Sequence, residues 1–229
     1  MRIVLSVLLL LLCIPGYSMW PHRPVLRAGA RMIASAVPLS RTEPGRARVG
    51  ALTYLGGLWL RSPDPAFGGF SALHVRGRDF TMVSDMGNVV TFSMGSDWHP
   101  RAVRFGDLPG GPDTGWKKED RDSESLTVDP ATGQLWIGFE RVNQVWRYAP
   151  GFARAERWSA PPAMQDWSTN EGPEAMVRLS DGSILLFAEG HGRFRVGRKR
   201  PRLPLHPALL FRGDPTEAPM RGFAFALRL

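Results

Sequence analysis

Acidic side chains at the ends of short apolar runs, away from turns, are the residues of this sequence best suited to chemistry. Asp122, Glu124 and Glu140 bracket the stretch Asp122-Ser-Glu-Ser-Leu-Thr-Val-Asp-Pro-Ala-Thr-Gly-Gln-Leu-Trp-Ile-Gly-Phe-Glu140, and Asp85, Glu171, Glu174 and Glu189 recur in similar surroundings. Carboxylates gathered in one place form the donor set of a hard cation, Ca2+ first among them, which takes about six to eight oxygen ligands. Glu124, Glu140 and Glu174 are the expected catalytic acids. Asp85, Glu124, Glu171, Glu174 and Glu189 are the expected metal ligands, with Asn88, Asn143 and Asn170 able to complete a shell. A cation held there would polarise a phosphoryl or carbonyl oxygen and activate water. Arg141 could hold a substrate anion by paired hydrogen bonds, with Asn170 and Ser71 as further substrate contacts. The competing account is that these acids cap strands or pair with nearby arginines.

Nucleophilic catalysis finds little support. Ser71 lies in Gly-Phe-Ser-Ala-Leu, which lacks the second glycine of a nucleophile elbow. His74 sits three residues away, on the opposite face of a strand. His99 stands beside Pro100, and His191 and His206 fall in a basic, turn-rich segment. No triad assembles.

The elements that must position the acids are short strands. Leu126 and Val128, Leu135 and Ile137, and Val145 alternate with other residues between Asp-Pro-x-Thr-Gly and Arg-Val-Asn turns, which predicts a three-stranded meander. Two further meanders are expected, one from Phe67 to Met94 and one from Asn170 to Glu189, the latter turning in a two-residue hairpin at Ser180-Asp-Gly-Ser183. Ala51 to Leu60 reads as a strand pair or bent strand around Gly56-Gly57. The meanders open alike, at Phe70-Ser-Ala-Leu, Ser123-Glu-Ser-Leu and Pro173-Glu-Ala-Met, with 53 residues from Ser71 to Glu124 and 50 from Glu124 to Glu174. Their second strands also end alike, at Asp85, Glu140 and Glu189. A period near 50 with several short strands per unit is the signature of a β-propeller, so the expected fold class is all-β. About three to four blades are present, fewer than a closed propeller of this kind needs. The expectation is an incomplete propeller, truncated at its C-terminus.

Residues 1–18, with Arg2, an apolar run from Ile3 to Ile14, then Pro15, Gly16 and Ser18, match a secretory signal peptide. Residues 19–48 form a Pro-, Arg- and Ala-rich lead-in, and 49–229 the propeller domain. The expected location is periplasmic or secreted, with an uncleaved N-terminal anchor as the alternative and no stable membrane insertion. Cys13 is the single cysteine and lies inside the apolar run, so a mature chain has no disulfide, thiolate nucleophile or zinc-thiolate site. The net charge of +8 is carried almost wholly by arginine scattered along the chain. That pattern argues against nucleic acid as partner and remains compatible with a small anionic or ester substrate. Residues 190–207 are basic and read as a solvated loop rather than an anion-binding arm.

The sequence resembles the bacterial "esterase-like activity of phytase" family. The match rests on Gly68-Gly-Phe-Ser-Ala-Leu73, Val83-Ser-Asp-Met-Gly-Asn88, Asp122-Ser-Glu-Ser-Leu126 with Phe139-Glu140, and Asn170-Glu-Gly-Pro-Glu-Ala175 before Leu179-Ser-Asp-Gly182. The resemblance covers residues 50 to about 220 and implies an exported propeller, six-bladed when complete, that hydrolyses a phosphoester or ester. A ligand-binding propeller without catalysis, and a lactonase-like sugar-acid hydrolase, stand as alternatives.

Overall fold

The computed structural model describes residues 22–27, 29, 31–165, 167–189, 206–217 and 222–227. The expected leader at 1–18, with Cys13, and most of the basic segment lie outside the described residues. Sixteen strands are described: β1 (Ile33–Ala36), β2 (Arg48–Val49), β3 (Leu52–Thr53), β4 (Leu58–Arg61), β5 (Phe70–Arg76), β6 (Asp79–Ser84), β7 (Asn88–Met94), β8 (Pro100–Asp107), β9 (Ser123–Val128), β10 (Leu135–Phe139), β11 (Gln144–Tyr148), β12 (Ala155–Ser159), β13 (Pro173–Arg178), β14 (Ile184–Ala188), β15 (His206–Phe211) and β16 (Gly222–Leu227). Among the described residues no helix is long and apolar enough to cross a membrane.

The last twelve strands make three antiparallel sheets of four, each in chain order: β5 to β8, β9 to β12, and β13 to β16. Each expected meander is therefore a complete four-stranded blade. The fourth strands, β8 and β12, escape a reading of the sequence because Arg101, Arg104, Glu156 and Arg157 interrupt them and their half-exposed faces blur the apolar alternation. The hairpin between β13 and β14 is longer than two residues: Arg178 pairs with Ile184, and the Leu179 amide donates to Ser183 O. Gly56-Gly57 does not fold β4 back on its predecessor; β2 pairs with β3, and β4 pairs with β1 instead.

Successive blades pack face to face. Ala72, Val83, Val89 and Leu108 of the first blade bury against Leu126, Leu135, Ile137, Phe139 and Tyr148 of the second. Trp136 and Val145 on the second blade's other face meet Met176, Ile184, Leu186 and Leu209 of the third. This alternation explains why all five residues of β10 are buried. Trp136 packs between the second and third blades, and Trp146 lies partly buried against the cluster between the first and second.

The innermost strands β5, β9 and β13 stand side by side. They belong to different sheets, so serine and threonine side chains join them. Ser71 Oγ donates to Ser123 O at 2.5 Å, Ser123 Oγ to Ser84 O at 2.7 Å, and Ser125 Oγ to Pro173 O at 2.6 Å, while Thr127 Oγ1 accepts from the Arg178 amide at 2.9 Å. Ser125 is 2% exposed, so no water replaces its hydroxyl. Ser125→Ala is expected to cost about 1–2 kcal/mol by leaving the Pro173 carbonyl without that donor, measured as a lower denaturation midpoint with unchanged m-value.

The lead-in is bound to the first blade. Arg23 grips Asp107 through two bonds of 2.8 and 2.5 Å and donates to the carbonyls of Met86 and Gly115, both at 2.7 Å. Asn88, fully buried, accepts from the Leu26 amide and donates to Pro24 O. Beyond it β1 and β4 form half a blade. Ala34, Ala36, Leu58 and Leu60 face Leu73, Phe80, Met82 and Phe92 across an apolar cleft of about 600 Å³.

Candidate functional site

The repeat places its polar groups by one local device. In each innermost strand the second residue forms a β-bulge, skipped by the ladder: Ser71 between the pairs Phe70–Ser84 and Ala72–Val83, Glu124 between Ser123–Phe139 and Ser125–Gly138, and Glu174 between Pro173–Ala188 and Ala175–Phe187. A bulge residue is freed from the ladder and its side chain re-aimed. The residue after each second strand is fixed in turn by a backbone bond to the residue before the first. The Asp85 amide donates to Gly69 O at 2.8 Å, Glu140 to Asp122 O at 2.9 Å and Glu189 to Gly172 O at 3.1 Å. Ser71, Glu124 and Glu174 with their flanking residues line one small open groove across the three blades.

Asp122, Glu124 and Glu140 come together most tightly, each offering an oxygen within 4.8 Å of the others. Burial, followed by the charges of Glu174, Asp122, Glu140 and Asp85, pushes the Glu124 carboxyl up to about 8. Burial also raises Asp122, partly offset by Lys118 and Arg141. Burial and then Asp122 raise Glu140, against a hydrogen bond from the Gly172 backbone. Glu174 is raised by burial and by Glu189. Asp85 has one oxygen on Lys118 Nζ at 2.8 Å, while its buried Oδ1 has no hydrogen-bond partner.

Such a set fits a hard divalent cation. The donors are all oxygen, they crowd one another at a cost that a cation would relieve, and one buried acceptor is unused. The expected ligands Asp85, Glu124, Glu174 and Glu189 act on one another electrostatically in this group, which Asp122 joins. Glu171 is exposed in the loop before β13 and is not in the tight trio. Arg141 and Asn170 are exposed, and Arg141 is near enough to lower Asp122. The Ser71 hydroxyl hydrogen is engaged on Ser123 O. Two of the amides expected to complete a shell serve elsewhere. Asn88 ties down Pro24 and Leu26, and Asn143 donates to Trp167 O at 2.9 Å from a turn. Short polar side chains at strand ends satisfy backbone groups as readily as metals, and the sequence carries no sign of which.

Lys118 is the participant that sequence reasoning missed. Its Nζ is also 3.8 Å from Asp122 Oδ1. The signal was present, since Lys117 and Lys118 are the only lysines before residue 199 and Lys118 precedes Asp122 by one helical turn. A polar, Gly-rich segment gave no reason to fold it back on the acids. The segment is nevertheless well anchored. Asp120 Oδ2 accepts from Thr114 Oγ1 at 2.9 Å and from the Trp116 amide at 3.0 Å. Buried Arg121 donates to the carbonyls of Pro112 and Asp120.

The family model "Phytase-like: Esterase-like activity of phytase" matches residues 65–228. No curated protein matches the chain. Among solved structures, the β-propeller domain of Cps50 (Swd1) from Myceliophteria thermophila is similar at 10% identity and a TM-score of 0.38, over 70% of this chain and 39% of that one. The hemopexin fold protein CP4 from cow pea is similar at 9% identity and a TM-score of 0.40, over 91% of this chain and 89% of that one. The extracellular domain of a one-component system from B. thetaiotaomicron shares 11% identity at a TM-score of 0.35, and the chain spans 27% of its length.

Proposed function

The chain belongs to the phytase-like family, described as having the esterase-like activity of phytase, and on that footing we propose that it is an exported hydrolase of small phosphoesters or carboxylic esters, assisted by calcium. The observation that carries the proposal is the convergence of Asp122, Glu124 and Glu140 within 4.8 Å, at the mouth where the three innermost strands begin. These three carboxylates would hold the cation, with Asp85, Glu174 and Glu189 around them. A calcium ion there would polarise the scissile phosphoryl or carbonyl oxygen and make a bound water more acidic. Burial and then the neighbouring carboxylates hold a proton on Glu124 at neutral pH, which it would have to release to serve as a ligand. Glu174, more open and also raised, would exchange a proton with the attacking water or the leaving group. Arg141 brings positive charge beside Asp122 for a substrate anion. Export rests on the leader at residues 1–18, and the arginine-rich surface suits small anions better than nucleic acid.

The test is hydrolysis of p-nitrophenyl phosphate and p-nitrophenyl acetate by the purified chain, with chelator and with calcium restored. Turnover should vanish in chelator, return with calcium, and fall by at least about tenfold in Glu140→Gln. A folded protein that neither binds calcium nor turns over either ester would instead be a ligand-binding propeller.

A further inference from the structure

Lys118 stands against two of the gathered carboxylates. Its ammonium lies 2.8 Å from Asp85 Oδ2 and 3.8 Å from Asp122 Oδ1, and its side chain is half exposed. We propose that Lys118 is a tethered counter-ion of the carboxylate group, which a divalent cation must displace, so that this one side chain sets the cation affinity of the site. The proposal rests on the cation reading given above.

Three observations carry it. An ammonium and a divalent ion cannot share the same oxygens without strong repulsion at so short a distance. The segment that delivers Lys118 is fixed at Asp120 and Arg121, and Arg121 packs against Gly87, Gly111 and Gly115, where a Cβ would fall within 3.2 Å of its side chain. Only the flexible four-carbon stem of Lys118 therefore has to move for exchange to occur. Finally, the lysine satisfies only one oxygen of Asp85 and leaves Oδ1 without a partner, so the carboxylate keeps donor capacity in reserve.

The experiment is calorimetric titration of calcium into the chelator-stripped full chain at about pH 9, comparing the parent with Lys118→Met and Lys118→Arg. Lys118→Met should lower the dissociation constant by about tenfold, and Lys118→Arg, which keeps the charge, should stay within about threefold of the parent. Melting curves in chelator check that all three fold, which the partial exposure of this ion pair favours. Calcium binding by the parent with equal or weaker binding by Lys118→Met overturns the counter-ion proposal alone. No binding by either protein overturns the cation reading, and this proposal with it.

Discussion

Replacing Glu124 with glutamine should make the protein more stable at alkaline pH while destroying the proposed calcium site. Burial and four neighbouring carboxylates raise the Glu124 carboxyl from 4.5 to about 8. The folded state therefore holds a proton there that the unfolded chain has already released between about pH 4.5 and 8. Stability falls as pH rises through that window, because the unfolded state binds fewer protons than the folded one. Below it both states are protonated and the effect disappears. Allowing for the solvent that reaches this half-buried group, the loss is about 2 kcal/mol, or roughly 4–8 °C in melting temperature for a chain of this size. In chelator, Glu124→Gln should melt higher than the parent at about pH 9 and equally at pH 4. Calcium should raise the melting point of the parent and leave the variant unmoved. Equal melting points at both pH values would mean that Glu124 does not hold its proton as argued.

Gly172→Ala should be the most damaging single-methyl change at the boundary between the second and third blades. A Cβ at Gly172 would lie 2.6 Å from Glu140 Cα, 2.8 Å from its Cγ and 3.0 Å from its carbonyl oxygen. Two of those atoms are backbone, so the contact cannot be relieved by turning a side chain. It can be relieved only by moving the turn after β10 or prising the blades apart. The expected cost is about 2–3 kcal/mol. Because Glu140 is the residue pushed, calcium affinity should fall by at least about tenfold. Gly45→Ala, where a Cβ meets nothing within 4 Å, is the control and should stay within about 0.5 kcal/mol. Denaturant unfolding and calcium titration of both variants check the prediction. A Gly172→Ala protein as stable as the control would show that the blades approach less closely at Glu140.

The repeat was legible because it is written twice, once in the apolar alternation of the inner strands and once in the residues that follow them. The match of Ser71, Glu124 and Glu174 across the three openings corresponds to a shared bulge, and that of Asp85, Glu140 and Glu189 to a shared backbone bond. The trio Asp122, Glu124 and Glu140 could be picked out from sequence because its members flank one hairpin. The outer strands were not legible. Residues such as Arg101, Arg104 and Arg157 face water and carry no alternation for the eye to follow. Nor was the fate of Asn88 and Asn143, since a buried amide announces its type but not its partner. Lys118 was hidden for a further reason: its role depends on a turn held by Arg121, whose anchors are carbonyls that any residue could supply.

The bulge at the start of each inner strand also separates two kinds of evolutionary risk. A residue outside the ladder can change without breaking a backbone pair of its own sheet, so its side chain is free to vary with chemistry while the ladder around it stays intact. The chain displays this freedom, with serine at one copy of the position and glutamate at the other two. Duplication of such a unit multiplies editable positions around one mouth, and point mutation then tunes each of them separately. A scaffold of this kind can gain or lose acidity one repeat at a time, and new specificities become reachable through steps that each leave a folded protein.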